Sequence, residues 1–261
     1  MTNKIKRSFN KYEKHIGTAY PEPEAMVYDQ KRFSGPKGKL FNKLEMYQLD
    51  RVLHTLLSRQ RILEIGCGTG RFMVKCLEAG HEVHGLDPSS SMIRRCRQKT
   101  SKFEKVFYYL GEGAKLPFKD NEFNFVYSIR TLNQVSSKSY ALDMIREMIR
   151  VCCEDGTILL EFVNKRSLIL RRYRSVLLSI NDIKLVIKEY SNVEVKNISG
   201  ILFFPQTLMN LMPVLLLGMF EKLDILFCKI FPVFSTRCYL TLQKKPRDRN
   251  TITYKQKNIL S

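Results

Sequence analysis

Apolar residues along this chain fall in short runs separated by amphipathic stretches. Leu49, Val52, Leu53, Leu56 and Leu57 recur at helical spacing and predict a helix ahead of the first strand. The run 62–65 reads as a buried strand. It stops at Gly66, Gly68 and Gly70, and the amphipathic residues 72–77 follow at once, so a glycine turn opens directly into a helix. Gly80 suits the position just past that helix. A second strand, 82–86, ends in Asp87. Ser89 and Ser91 supply hydroxyls to cap the next helix, which runs to about Gln98. Further strands are expected at about 105–110, 123–129 and 157–163, with a helix over about 139–153 joining the last two. Two late strands follow at 193–198 and 238–243. Strands alternating with helices predict an α/β, doubly wound, mostly parallel sheet with helices on both faces.

The flanks differ from this core. In residues 1–42, Pro21, Pro23, Gly35, Pro36 and Gly38 mark turns, and the segment reads as an N-terminal arm. The domain is expected over 43–244, and 245–261 is a basic tail. Residues 201–232 are too apolar for an ordinary surface connection. Their run from Leu211 is broken by Pro213 and is shorter than the ~20 residues a membrane span needs. The segment reads as a lid over a greasy pocket, a membrane-interface contact, or extra core.

Charge refines this division. The net charge is +19, of which residues 1–60 carry +6, 61–163 carry +2 and 164–261 carry +11. The central strands are nearly neutral. Lys165, Arg166, Arg171, Arg172 and Arg174 follow the fifth strand, where open sheets bind ligands. They read as a phosphate-facing patch or as a solvated helix face. Seven cysteines without C-x-x-C spacing suggest buried reduced thiols in a cytoplasmic protein. No apolar stretch follows the charged first residues, so no signal peptide is expected. His15, His54 and His81 lack partners at ligand spacing, His84 reads as a core histidine, and no metal site is predicted.

The glycines narrow the chemistry. A dinucleotide fingerprint, G-x-G-x-x-G, needs glycine where Arg71 stands, and no P-loop is present. Glu64 beside Gly66 disfavours a pyrophosphate and suits a cation, unless it merely pairs with Arg61. Asp87 at the second strand's tip can accept from both hydroxyls of a ribose, or else cap the following helix.

The stretch Leu63-Glu64-Ile65-Gly66-Cys67-Gly68-Thr69-Gly70 resembles the first motif of class I S-adenosylmethionine-dependent methyltransferases. Gly111-Glu112-Gly113-Ala114-Lys115-Leu116-Pro117-Phe118 resembles that family's adenine-side loop, with Glu112 in place of the usual Asp. Residues 128–133, with Arg130 and Asn133, fall where the family lines the cleft. The resemblance covers roughly 45–165. It implies a seven-stranded Rossmann-like sheet whose last strand is antiparallel, with S-adenosyl-L-methionine as cofactor. It places Glu64, Gly66, Cys67, Gly68, Gly70, Asp87, Glu112, Gly113 and Arg130 at that cofactor. Tyr28 resembles an N-terminal element that closes over the cofactor in some small-molecule methyltransferases, or sits in a packed loop.

The acceptor is less defined. The sequence has neither the Asn/Asp-Pro-Pro-aromatic motif of nucleobase-amine methylation nor a Pro-Cys nucleophile. The basic cluster near an apolar segment suggests a small or lipid-like, anionic acceptor. Arg171, Arg172 and Arg174 would take its headgroup and Leu216 its tail, with peripheral membrane contact. RNA or protein as acceptor, or an inactive cofactor-binding assembly protein, are the alternatives. His15, Tyr28 and Glu161 are candidate bases, and none is specific, so the catalytic residue stays unassigned.

Overall fold

The computed structural model describes residues 20–167, 176–204 and 206–246. Seven strands form one sheet in the order β3-β2-β1-β4-β5-β7-β6. They are β1 (Arg61–Ile65), β2 (Glu82–Asp87), β3 (Val106–Leu110), β4 (Phe123–Ser128), β5 (Cys152–Val163), β6 (Val193–Ile201) and β7 (Arg237–Lys244). β1 to β5 are mutually parallel, and β7 lies antiparallel between β5 and β6. The expected doubly wound, mostly parallel architecture and its reversed last strand are both present.

Among the described residues two helices precede the sheet: α1 (Glu22–Phe33) and α2 (Pro36–Leu53). The turn reading of Pro23 and Pro36 is corrected here. Both stand in a first helical turn, where a missing N–H costs no hydrogen bond. Gly38 lies inside α2, not in a turn. A Cβ there would come within 2.3 Å of the Arg32 carbonyl oxygen, so glycine lets the two helices meet. α2 therefore begins well before the Leu49–Leu53 stripe and runs through the boundary expected at 42/43, while Leu56 and Leu57 fall beyond its end.

α3 (Arg71–Glu78) and α4 (Ser90–Thr100) follow β1 and β2; α5 (Lys138–Val151) and α6 (Ile180–Ile187) flank β5. Ser89 caps α4 by accepting from the Met92 N–H. One core layer joins α5 and α6 to the sheet through residues such as Met144, Ile145, Met148 and Ile183. The other joins α2, α3 and α4 through Leu44, Leu49, Phe72 and Cys96. All seven cysteines are free, and His84 is buried, stacked on Phe107 at 4.7 Å. β5 starts five residues earlier than expected because Asp155 takes a left-handed conformation, φ 60°, inside a strand whose register shifts opposite it.

Between β6 and β7 the chain forms α7 (Gln206–Leu211), a 3-10 turn (Val214–Leu216), α8 (Leu217–Ile230) and a second 3-10 turn (Pro232–Phe234). Both flanking strand ends lie at the carboxyl edge of the parallel strands. α8 buries Leu217, Phe220, Asp224 and Cys228, and the Asp224 carboxylate accepts from the Leu202 and Phe204 N–H groups at 2.9 and 3.1 Å. Its opposite stripe, Met219, Leu223, Leu226 and Ile230, is exposed, as is Leu215 at 93%. This segment is thus half core and half open apolar surface. Among the described residues no helix is long and apolar enough to cross a membrane.

Candidate functional site

The carboxyl ends of β1, β2 and β4 frame a cleft with about 1080 Å³ of empty space, part of it open to solvent. Its floor is the glycine turn. Gly66 and Gly68 have φ of +77° and +52°, which side chains other than glycine rarely adopt. At Gly66 a Cβ would strike the Thr131 side chain at 2.2 Å, so the turn can pass beneath the loop after β4. At Gly68 a Cβ would meet nothing within 4 Å, so bare backbone faces the cleft.

Two acids sit at this floor. Asp87 accepts from the Gly68 N–H at 2.8 Å and the Ser89 N–H at 2.9 Å. Burial nevertheless pushes its carboxyl up to about 6, against the lowering effect of those two bonds. Glu64 is buried and accepts from the Tyr127 hydroxyl at 2.8 Å. Burial raises its carboxyl well above the usual range, the Tyr127 bond only partly opposing it. Arg61 pairs instead with Glu82 and Glu122, at 2.8 and 3.0 Å.

α1 roofs the cleft. Tyr20 and Tyr28 line it, edge to face at 5.3 Å, and the Tyr20 hydroxyl donates to Gln134 at 3.0 Å. Polar ties hold the helix down. Asp29 accepts from Thr69 at 2.9 Å and pairs with Lys99, Glu22 pairs with Arg94, and Ser91 donates to the Tyr20 carbonyl at 2.7 Å.

A second cavity, about 1010 Å³ of empty space, adjoins the first and shares Arg130 and Gln134 with it. Its walls include Arg32, Phe33, Phe41, Asn133 and Arg237, and Met209 reaches it from α7. Arg130 takes φ +64°, a strained conformation for a side chain of its size. Its N–H donates to Glu161 at 2.6 Å and its guanidinium to Glu45 at 3.1 Å. Arg71 donates to the other Glu45 oxygen at 2.6 Å and Arg237 to Glu161 at 2.5 Å. Phe41 lies under both Arg130 and Arg237, at 5.0 and 5.7 Å.

The structure therefore gathers Glu64, Gly66, Cys67, Gly68, Asp87, Gly113, Arg130 and Tyr28 on one cleft. Gly70 and Glu112 stand beside it without lining it. Gly70 instead packs on Cys96, whose Sγ would be 2.6 Å from a Cβ. Asn133 belongs to the second cavity, and Leu216 is exposed and lines neither. Glu161 is buried in its pairing with Arg237. Arg171, Arg172, Arg174 and His15 lie outside the described residues. Sequence reasoning missed Tyr20, Glu45, Arg71 and Arg237. Glu45 alone left a trace, as an acid one residue from Leu44 and four from Leu49 on the buried side of α2.

Residues 63–160 match the model of a methyltransferase domain. The chain is 25% identical to the putative methyltransferase YqeM of Bacillus subtilis over 52% of its own length and 53% of that protein. It is 34% identical to a demethylmenaquinone methyltransferase of Lactiplantibacillus plantarum over 38% of its length and 46% of that protein. It thus spans about half the length of the curated relatives it matches. Among solved structures it is similar to the magnesium protoporphyrin IX methyltransferase of Synechocystis PCC 6803 with bound S-adenosylmethionine. The TM-score is 0.56 at 16% identity, covering 80% of this chain and 84% of that one, a likeness of fold.

Proposed function

Residues 63–160 match a methyltransferase domain, and we propose that the chain is a class I S-adenosylmethionine-dependent methyltransferase acting on a small, lipid-like and anionic acceptor held in the second cavity. The cofactor is S-adenosyl-L-methionine. The cleft suits it: open space over the bare Gly68 turn, a ribose-competent Asp87, and buried Glu64 facing a ligand with cationic centres and no phosphate. When bound, the cofactor supplies a methyl group already activated by its sulfonium, so the protein's work is positioning and exclusion of water.

Each residue has a part in that work. Asp87 accepts from the ribose hydroxyls. Glu64 faces the positive charge of the ligand, which favours the ionised carboxyl that burial disfavours. Gly66, Cys67, Gly68 and Gly113 offer close backbone contact, Gly70 seats the turn on α4, and Glu112 remains the candidate partner for the adenine amino group. Tyr28 from α1 and Tyr20 just ahead of that helix cover the site, and Arg130 separates cofactor from acceptor.

The observation that carries this reading is the pair of adjoining cavities that share Arg130 and Gln134. The relative's named acceptor, demethylmenaquinone, is of the same small-molecule class. The lipid-like character rests on α8. An apolar stripe on a helix is normally turned to the core, and here α8 has one such stripe buried and a second open beside the site. We place that stripe on an anionic membrane surface. Lys222 and Lys229 flank it on α8, and Lys165 and Arg166 stand by the second 3-10 turn, where Asn164 donates to the Val233 carbonyl at 2.8 Å. Methyl-labelled S-adenosylmethionine, incubated with protein and fractionated cell extract, is expected to label the organic-soluble fraction. Label confined to RNA or protein would overturn the acceptor class.

A further inference from the structure

Buried positive charge exceeds negative where the two cavities meet, with Arg71 on the first cleft and Arg130 and Arg237 on the second. Arg71, Arg130 and Arg237 are joined through only two carboxylates, Glu45 and Glu161. The side chains of the three arginines are 14%, 13% and 12% exposed, and both glutamates are fully buried. Arginine does not shed its proton at any ordinary pH. One positive charge is therefore left over in a setting where an unpaired ion is costly. Arg32 at the rim, 5.2 Å over the Tyr28 ring, and Lys37 add further cations to the lining of the second cavity, and among the described residues no acid lines it. The Arg130 Nε and Asn133 Oδ1 are also buried without a hydrogen-bond partner among the described residues.

The cofactor does not settle this account. The amino-acid end of S-adenosylmethionine is a zwitterion and brings no net negative charge to the first cleft. An anion entering the second cavity would meet Arg32, Lys37, Arg130 and Arg237 with no acid of the described residues lining it, and Phe33, Phe41 and Met209 offer apolar contact beside them.

We infer that Arg237, Arg130 and Arg32 form a recognition subsite for a carboxylate or phosphate monoester on the apolar acceptor, and that this subsite sets acceptor specificity. The inference rests on the assignment of the second cavity to the acceptor. Its positive charge comes from three separate parts of the chain: α1, the loop after β4, and the start of β7. The expected acceptor carries its anionic head at the arginines and its apolar body along the aromatic wall.

Calorimetry with decanoate, decyl phosphate and decanol tests this without any methyl transfer. One of the two anions is expected to bind about tenfold or more tightly than decanol. Whichever binds better identifies the headgroup, and saturating S-adenosylhomocysteine should leave that binding in place. Arg237→Gln removes one cation and leaves Glu161 the Arg130 N–H, and the anion is expected to bind about tenfold more weakly. If Arg237→Gln fails to fold, Arg32→Gln on the exposed rim keeps the test alive, with about a two- to fivefold loss expected. Decanol binding as well as the anions would overturn the inference, as would anions competing with S-adenosylhomocysteine or variants that bind like wild type. Failure of anion binding in a protein that methylates neutral lipids would sink this inference alone. Anion binding without any methyl transfer would sink the proposed function instead.

Discussion

Replacing Asp87 by Asn separates the ribose role of this side chain from its structural one. Asn keeps the shape and one oxygen for the Ser89 N–H but loses the charge. Charge-assisted bonds to two hydroxyls are worth roughly 1.5–3 kcal/mol, so affinity for S-adenosylhomocysteine should fall about 10- to 150-fold. The wild type should also show a pH step, because its carboxyl in the free protein sits at about 6. Between pH 7 and pH 5 the ionised fraction of such a group drops about tenfold, and cofactor affinity should drop with it. The stability of the free protein runs the other way. Its folded value is raised above the unfolded one, so the native state holds this proton more tightly. The Asp87 contribution is thus most favourable below the unfolded value, and it fades as pH climbs to about 6. Asp87→Asn should therefore bind poorly at every pH without melting earlier than wild type at pH 7. Calorimetric titrations at pH 5, 6, 7 and 8, with thermal melts beside them, measure both. A wild-type affinity flat from pH 5 to 7, or a variant that keeps the step, would refute the assignment.

Two further outcomes are expected. Vesicles containing phosphatidylglycerol should carry the protein in flotation more than pure phosphatidylcholine does, and the pair Leu215→Asp and Ile230→Asp should abolish this with the melting temperature unchanged; no flotation of wild type with either vesicle argues against membrane contact. Asp29→Ala cuts α1 from both Thr69 and Lys99, so hydrogen exchange in α1 should speed up and S-adenosylhomocysteine affinity should fall several-fold, whereas unchanged exchange would mean that the roof is held by packing alone.

The parts of the site legible in the sequence are those whose cause is local. A left-handed turn demands glycine within a few residues of its strand, so Gly66 and Gly68 announce themselves. Asp87 follows from the length of one strand-helix-strand unit. The arginine network is different. Glu45, Arg71, Arg130, Glu161 and Arg237 are spread over nearly the whole chain, and Arg237 joins the others only because β7 inserts beside β5. The roof was hidden for another reason. Pro23 and Pro36 carry the same sequence signal whether they make a turn or open a helix, and the neighbouring Pro21 and Gly35 tipped the reading toward turns. The segment after β6 gave its apolar character but not its division. Pro213 lies between α7 and the first 3-10 turn, and only the packing of Phe220 and Asp224 decides which stripe of α8 is inward.

The insertion of β7 between β5 and β6 also bears on the order in which the molecule becomes competent. β1, β2 and β4 with their helices need the chain only as far as the end of α5 to make the glycine cleft. The arginine cavity waits for Arg237, which reaches Glu161 across 76 residues of sequence. Contacts of such separation close late, because loop entropy must be offset first. A nascent or partly unfolded molecule would then hold a nucleotide-sized cleft before it can select what to modify. Destabilising the sheet edge at β6 and β7 should loosen discrimination between acceptors at a point where the cofactor half is still intact.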